Sequence, residues 1–153
     1  MTDPLRLPAI ELQNRQRRVR LNLPWLRQVA AAAVEECLPH SADGRFTLSQ
    51  LMEIDVAIVS DRVIARVHRD FMNIPGATDV ITFEHGEIVI SAETAEVQAA
   101  GQGHPVEHEI ALYTVHGLLH LNGFDDASPG DAARMHAVQD QILCACLAKF
   151  PAP

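Results

Sequence analysis

The chain has 153 residues, 48% of them hydrophobic and 21% charged, with a formal net charge of −8. That length suits one domain with its own core, spanning 1–153. No apolar run approaches the ~20 residues that cross a bilayer, so disordered and membrane-spanning classes are excluded. The N-terminus, MTDPLRLPAIELQ, lacks the basic-then-apolar layout of a secretory signal. Cys37, Cys144 and Cys146 are an odd count on expected helices, which reads as reduced core thiols rather than a disulfide framework. A cytoplasmic protein with no membrane partner is the expectation.

The alternation in AIELQ (9–13) predicts a half-buried strand, and NRQRRVR after it a charged connection. Pro24 suits a helix start, and WLRQVAAAAVEECL (25–38) has the helix-forming content to follow it. PHSADGR reads as a loop. MEIDVAIVS (52–60) alternates like a strand, and Ser60 and Asp61 can cap a helix over 62–72. On that helix Val63, Ile64, Val67 and Phe71 form one apolar face, with Arg62, Arg66 and Arg69 at i, i+4 and i+7 on the other. NIPGA is a turn, and TDVITF (78–83) and EIVIS (87–91) are strands close together. AETAEVQAA predicts a short helix broken by GQGHP. A helix from about Val106 to Leu121, a turn NGFDDASPGD and a closing helix AARMHAVQDQILCACLAKF complete the chain. This order predicts a single α+β domain, a mixed sheet of about four strands covered by about five helices.

Charge is unevenly spread. Residues 1–75 hold ten arginines against nine acids, whereas residues 76–153 hold two basic residues against eleven acids. A surface for a polyanion must therefore come from the first half, either the stripe Arg62, Arg66 and Arg69 or the cluster Arg15, Arg17, Arg18 and Arg20. Both read equally well as solvated faces.

The stretch VHGLLHLNGFDD (115–126) carries the chemistry. His116 and His120, four apart, share one helix face at the spacing that lets two imidazoles reach one cation. Gly123 can fold the chain back so that Asp125 or Asp126 returns toward it. Two ligands from a helix and one from a turn make a three-ligand, open arrangement. On these residues alone, a metal site and a packed histidine pair stand about even. Position 117 is Gly, so the glutamate of HExxH metalloproteases is missing, which counts against peptide hydrolysis. His104 and His108 are also four apart but flank Pro105 and read as capping or surface groups. His40, His68, His85 and His136 read as structural or surface residues, with His85 able to border a cleft.

HGLLHLNGFD, TDVITF and GEIVIS together resemble the YbeY family of bacterial single-domain metal-dependent endoribonucleases that act on ribosomal RNA. The resemblance runs from IELQ through the closing helix. It implies a hydrolase in rRNA processing, ribosome maturation or quality control, with rRNA and small-subunit ribosomal proteins as partners. It further implies one divalent metal, usually zinc, in a cleft between the metal helix and the sheet. Carried onto this sequence, the resemblance makes His116, His120 and Asp126 the ligands, His116 the catalytic residue acting with a metal-bound water, and Asp125 a residue that orients a ligand. Arg62, Arg66 and Arg69 are the candidate RNA contacts.

Two departures matter. The family signature ends in a third histidine where this chain has Asp126; a carboxylate still coordinates, but it lowers the net charge of the site. Two His and one carboxylate also suit Fe(II) and Mn(II). The family's arginine six residues ahead of its Thr-Asp pair is here Met72, which cannot neutralise phosphate. These departures sustain an alternative, a catalytically weak ribosome-associated assembly factor with a structural metal.

Overall fold

The computed structural model describes residues 7–153. Four strands, β1 (Ala9–Asn14), β2 (Glu53–Val59), β3 (Val80–Phe83) and β4 (Glu87–Ser91), form one sheet in the order β1-β2-β4-β3. β1 is parallel to β2 and β2 to β4, while β3 returns antiparallel to β4 and leaves its outer edge free. Five helices surround the sheet: α1 (Leu23–Cys37), α2 (Asp61–Met72), α3 (Ala92–Gln102), α4 (Val106–Leu121) and α5 (Pro129–Lys149). The mixed four-stranded α+β architecture matches the reading from sequence. No helix among the described residues is long and apolar enough to cross a membrane.

Side-chain alternation divides the sheet into two unequal faces. Leu12, Ile54, Val56, Ile58, Ile88 and Ile90 enter the main core with α1, α4 and α5. Ala57, Val59, Ile81 and Val89 form a smaller cluster on the other face with Ile64 of α2. Trp25 of α1 closes the main core and donates its indole N–H to the carbonyls of Phe150 (3.2 Å) and Pro151 (2.9 Å), which fastens the C-terminal end.

Local signals explain most boundaries. Asn22 accepts from the Trp25 N–H ahead of Pro24, Ser60 caps α2 by accepting from Val63, and Ser128 caps α5 ahead of Pro129. That last cap starts α5 three residues earlier than the helix expected from Ala132. A 3₁₀ turn over Thr47–Gln50 lies in a stretch that carried no helical signal.

Two expectations need correction. Of the apolar face expected on α2, Ile64 is fully buried and Val67 half-buried, but Val63 and Phe71 are exposed. The reason is that α2 meets the sheet through the small cluster around Ile64 and Val67, and beyond Val67 Phe71 packs edge to face on Phe83 while staying exposed. Among the cysteines, Cys37 and Cys146 are buried as expected, whereas Cys144 is exposed on the outer side of α5.

α4 is the central helix, buried on nearly every side between the sheet, α1, α3 and α5. Its midsection lets only positions 112, 116 and 120 escape full burial. These recur every fourth residue, so they form a single stripe, and two of the three are histidines.

Candidate metal centre

The stripe on α4 opens into a cleft of about 770 Å³. One wall is the free edge of β3 with the segment before it, Thr78 to Thr82; α2 contributes His68 and Met72 at one side, and α5 contributes His136 and Gln139 at the other. The close approach of α4 to the sheet depends on Gly117: a Cβ there would stand 2.8 Å from Ile88 Cδ1.

At the end of α4 the chain turns on Gly123, whose φ of +94° is a left-handed conformation that glycine adopts without strain. The Phe124 N–H then reaches back to the Leu119 carbonyl at 3.0 Å, which closes the helix. Asn122 is fully buried and locks this turn to the rest of the protein. Its Nδ2 donates to the carbonyls of Cys37 (3.1 Å), Leu38 (3.3 Å) and His40 (2.6 Å), while its Oδ1 accepts from the Leu48 N–H at 3.2 Å.

The turn delivers Asp126 to the two histidines. His116 Nε2 and His120 Nε2 are 3.0 Å apart, and Asp126 Oδ2 stands 3.5 Å from the first and 3.9 Å from the second. The other ring nitrogens are already committed. His120 Nδ1 lies 3.0 Å from the Phe124 carbonyl, which can only accept, and His116 Nδ1 lies 2.8 Å from Gln139 Oε1. With both Nδ1 atoms donating, both Nε2 atoms present lone pairs to one another and to a carboxylate oxygen. Three electron-rich atoms converging without a proton between them repel, and a cation removes the repulsion. Ligands of a tetrahedral zinc with bonds of about 2.0–2.1 Å stand about 3.3 Å apart, close to the spacing seen. Burial pushes the His116 imidazolium down from its ordinary range, which keeps the ring neutral and able to coordinate. The donor set therefore fits one small divalent cation.

Asp125, expected to orient a ligand, acts on the backbone of Asp126 rather than on an imidazole. Its Oδ1 accepts from the backbone N–H of Asp126 (2.8 Å) and of Ala127 (3.2 Å), so it shapes the turn that carries Asp126 and touches neither histidine. Gln139 and the Phe124 carbonyl orient the imidazoles instead. A glutamine on a third helix carries no spacing signal, so the sequence could not single it out.

The candidate RNA contacts also lie elsewhere. Arg62, Arg66 and Arg69 are exposed on α2 and do not line the cleft; Arg69 pairs with Asp70 at 3.2 Å. Arg15 is bonded to the Gln13 side chain, and Arg18 pairs with Glu93 at 3.7 Å. No Lys or Arg is found among the lining residues, which include Asp79, Glu84 and Asp126. His68 and His136, read as structural or surface groups, do line the cleft, while His85 lies outside it, stacked on Phe83. His104 and His108 stack 4.0 Å apart, and His104 Nε2 meets the buried Glu109 at 3.1 Å.

Among the described residues, two buried hydroxyls in the cleft walls, Tyr113 OH and Thr82 Oγ1, find no hydrogen-bond partner. Burial, and then the neighbouring Glu109 carboxylate, push the Tyr113 phenol up, so it remains a protonated donor.

Comparisons with known proteins identify relatives of this chain. The family described as Endoribonuclease YbeY matches residues 11–146. A relative of that name from Mycolicibacterium smegmatis is 34% identical over 139 residues, covering 78% of this chain and 73% of that protein. Another from Mycobacterium tuberculosis is 36% identical over 110 residues, covering 60% of this chain and 62% of that protein. The solution structure of TM1509 from Thermotoga maritima superposes with a TM-score of 0.65 at 20% identity, covering 93% of this chain and 91% of that one, a likeness of fold. A match over most of the length, on a fold that gathers His116, His120 and Asp126 at one cleft, makes this chain a member of the Endoribonuclease YbeY family.

Proposed function

We propose that this protein is a divalent-cation-dependent endoribonuclease that cuts ribosomal RNA during ribosome maturation or quality control in the cytoplasm, with rRNA and small-subunit ribosomal proteins as partners. One observation carries the cation dependence: His116 Nε2, His120 Nε2 and Asp126 Oδ2 converge while both Nδ1 atoms are held by acceptors. The endoribonuclease names of the relatives support the reaction class.

A bound divalent cation supplies Lewis acidity toward water and a phosphoryl oxygen. The chain's own residues supply the rest. Gln139 and the Phe124 carbonyl fix both imidazoles in the tautomer that offers Nε2. Asp126 contributes a negative charge that three histidines would not, which weakens the net field on the substrate. Zinc fits the set, and Fe(II) or Mn(II) fit it as well. Tyr113 stands in the cleft wall beside His116 as a protonated hydroxyl.

A second reading is favoured by a specific feature: a cleft with Met72 on its lip and no Lys or Arg in its lining. On that reading the protein is a ribosome assembly factor in which the cation is structural and cleavage is weak. Cleavage of a structured rRNA fragment, with zinc, iron or manganese added in turn, decides between them. The endoribonuclease reading expects cation-dependent products from the wild-type chain, lost in His116→Ala. Cleavage that emerges only in Asp126→His or Met72→Arg supports the assembly factor and refutes the first reading.

A further inference from the structure

Two histidines outside the cation site line the cleft, His136 on α5 and His68 on α2. Only His68 has a ring held by a hydrogen bond among the described residues. α2 closes on Asn73, whose left-handed φ of +56° turns the chain so that the Ile74 N–H returns to the His68 carbonyl at 3.3 Å. Gly76, at φ +93°, then brings its own carbonyl within 3.0 Å of His68 Nδ1. A carbonyl can only accept, so Nδ1 carries the hydrogen and Nε2 is the ring's open nitrogen.

This arrangement suits proton transfer. Nδ1 donates to the Gly76 carbonyl in the neutral ring and in the imidazolium alike, so a proton can come and go at Nε2 without the ring turning over. The rest of the cleft offers no better donor. Its lining holds no Lys or Arg, Asp79 and Glu84 are carboxylates, and His116, His120 and Asp126 converge on the cation site. Met72, four residues on and so on the same helix face, carries neither charge nor a proton to give. Hydrolysis of a phosphodiester needs such a donor, because the ribose oxygen that leaves phosphorus is a poor leaving group as an alkoxide. Lewis acidity toward water and a phosphoryl oxygen leaves that alkoxide unserved.

We infer that His68 is the general acid of RNA cleavage, giving the proton on Nε2 to the ribose oxygen that leaves phosphorus. Water forms the new P–O bond as the P–O bond to ribose breaks, and the departing oxygen takes its proton from the His68 imidazolium. The surplus proton of the attacking water passes to solvent, and the neutral ring recovers one from solvent, so each turnover consumes one water. This rests on the endoribonuclease reading above and adds to it the side chain that serves the leaving group.

The test compares the full wild-type chain with His68→Asn, whose amide can still donate to the Gly76 carbonyl but has no proton to transfer. Both cut a structured rRNA fragment, with its natural scissile linkage or with the leaving oxygen at the cut position replaced by sulfur. A thiolate departs without an acid. The expected result is a single-turnover rate about 100-fold or more slower for the variant on the natural linkage, with most of that loss gone on the sulfur linkage. The wild-type rate should fall on the alkaline side as the acid loses its proton, and the variant should lack that fall. An unchanged urea midpoint separates the effect from stability. Nitrogen NMR of the cation-free chain gives a readout apart from activity: Nδ1 of His68 should stay protonated throughout a pH titration while Nε2 titrates. A neutral ring protonated on Nε2 overturns the inference, as does an equal loss on the oxygen and sulfur linkages. If the wild type cleaves and His68→Asn matches it, the inference is overturned and the proposed activity stands. Failure of the wild type to cleave RNA with any of the added cations overturns both.

Discussion

Replacing Gly117 by alanine isolates the contact that sets α4 against the sheet. A Cβ at this position would lie 2.8 Å from Ile88 Cδ1 and 3.0 Å from both Cγ1 and Cγ2, inside the roughly 3.5–4.0 Å at which carbon atoms pack. Ile88 is fully buried, and its β-branch leaves little freedom at χ1, so the crowding is relieved only by moving α4 or β4. Overpacking of this kind costs about 1–3 kcal/mol. Alanine in a helix interior is favoured over glycine by about 1 kcal/mol, so the single variant should be destabilised by up to about 2 kcal/mol. A double-mutant cycle sharpens the expectation. In an Ile88→Ala background the obstructing carbons are gone, and Gly117→Ala should become stabilising, with a coupling of about 1–3 kcal/mol. Urea unfolding followed by circular dichroism at constant m gives all four values. Because His116 and His120 lie on either side of position 117, cation affinity measured by chelator competition should also fall in the single variant and recover in part in the double. A single variant about 1 kcal/mol more stable than wild type, with no coupling to Ile88, would show that the close approach is not what requires glycine here.

Other outcomes follow from the same geometry. Gln139→Leu removes the acceptor for His116 Nδ1–H and should weaken cation binding about 10- to 100-fold; unchanged affinity in a calorimetric titration would show that Gln139 does not hold the tautomer. Asn122→Ala strips buried carbonyls and the Leu48 N–H of their partner and should cost about 3 kcal/mol or more in urea unfolding. Native protein should expose one fast thiol to Ellman's reagent, Cys144, and two more only on unfolding. Burial pushes the Cys37 thiol well up and the Cys146 thiol up to about 11. The folded state therefore holds protons that the unfolded state releases above a thiol pKa of about 8.5, so stability should fall as pH rises through that value. A stability profile that is flat or rising there would contradict the burial of both groups.

The parts of this structure that were legible in the sequence are those fixed by neighbours along the chain. Alternation marked β1 and β2, and Ser60 and Pro24 marked the starts of α2 and α1, because caps and pleats act within a few residues. The convergence of His116, His120 and Asp126 was legible for the same reason, since a helix turn and a left-handed glycine bring 116, 120 and 126 together locally. What was illegible depended on distant packing. Periodicity gave α2 an apolar face but could not say that its end at Phe71 stays exposed. Two adjacent aspartates look alike in sequence, and only the turn decides that Asp125 bonds the backbone while Asp126 faces the imidazoles. Gln139 and His68 reach the cleft from α5 and α2 through tertiary contacts with no spacing of their own.

The three donors of the candidate cation site lie within eleven consecutive residues, from His116 to Asp126. The unfolded chain keeps that segment whole, with its two imidazoles still one turn apart whenever the segment coils. A cation will thus retain some affinity for the denatured ensemble, and mass-action stabilisation depends on the difference between the two affinities rather than on native binding alone. Saturating cation should then raise the melting temperature by less than the native dissociation constant implies. Stripping it should leave a folded protein, because the sheet and the large core built around α4 do not depend on it.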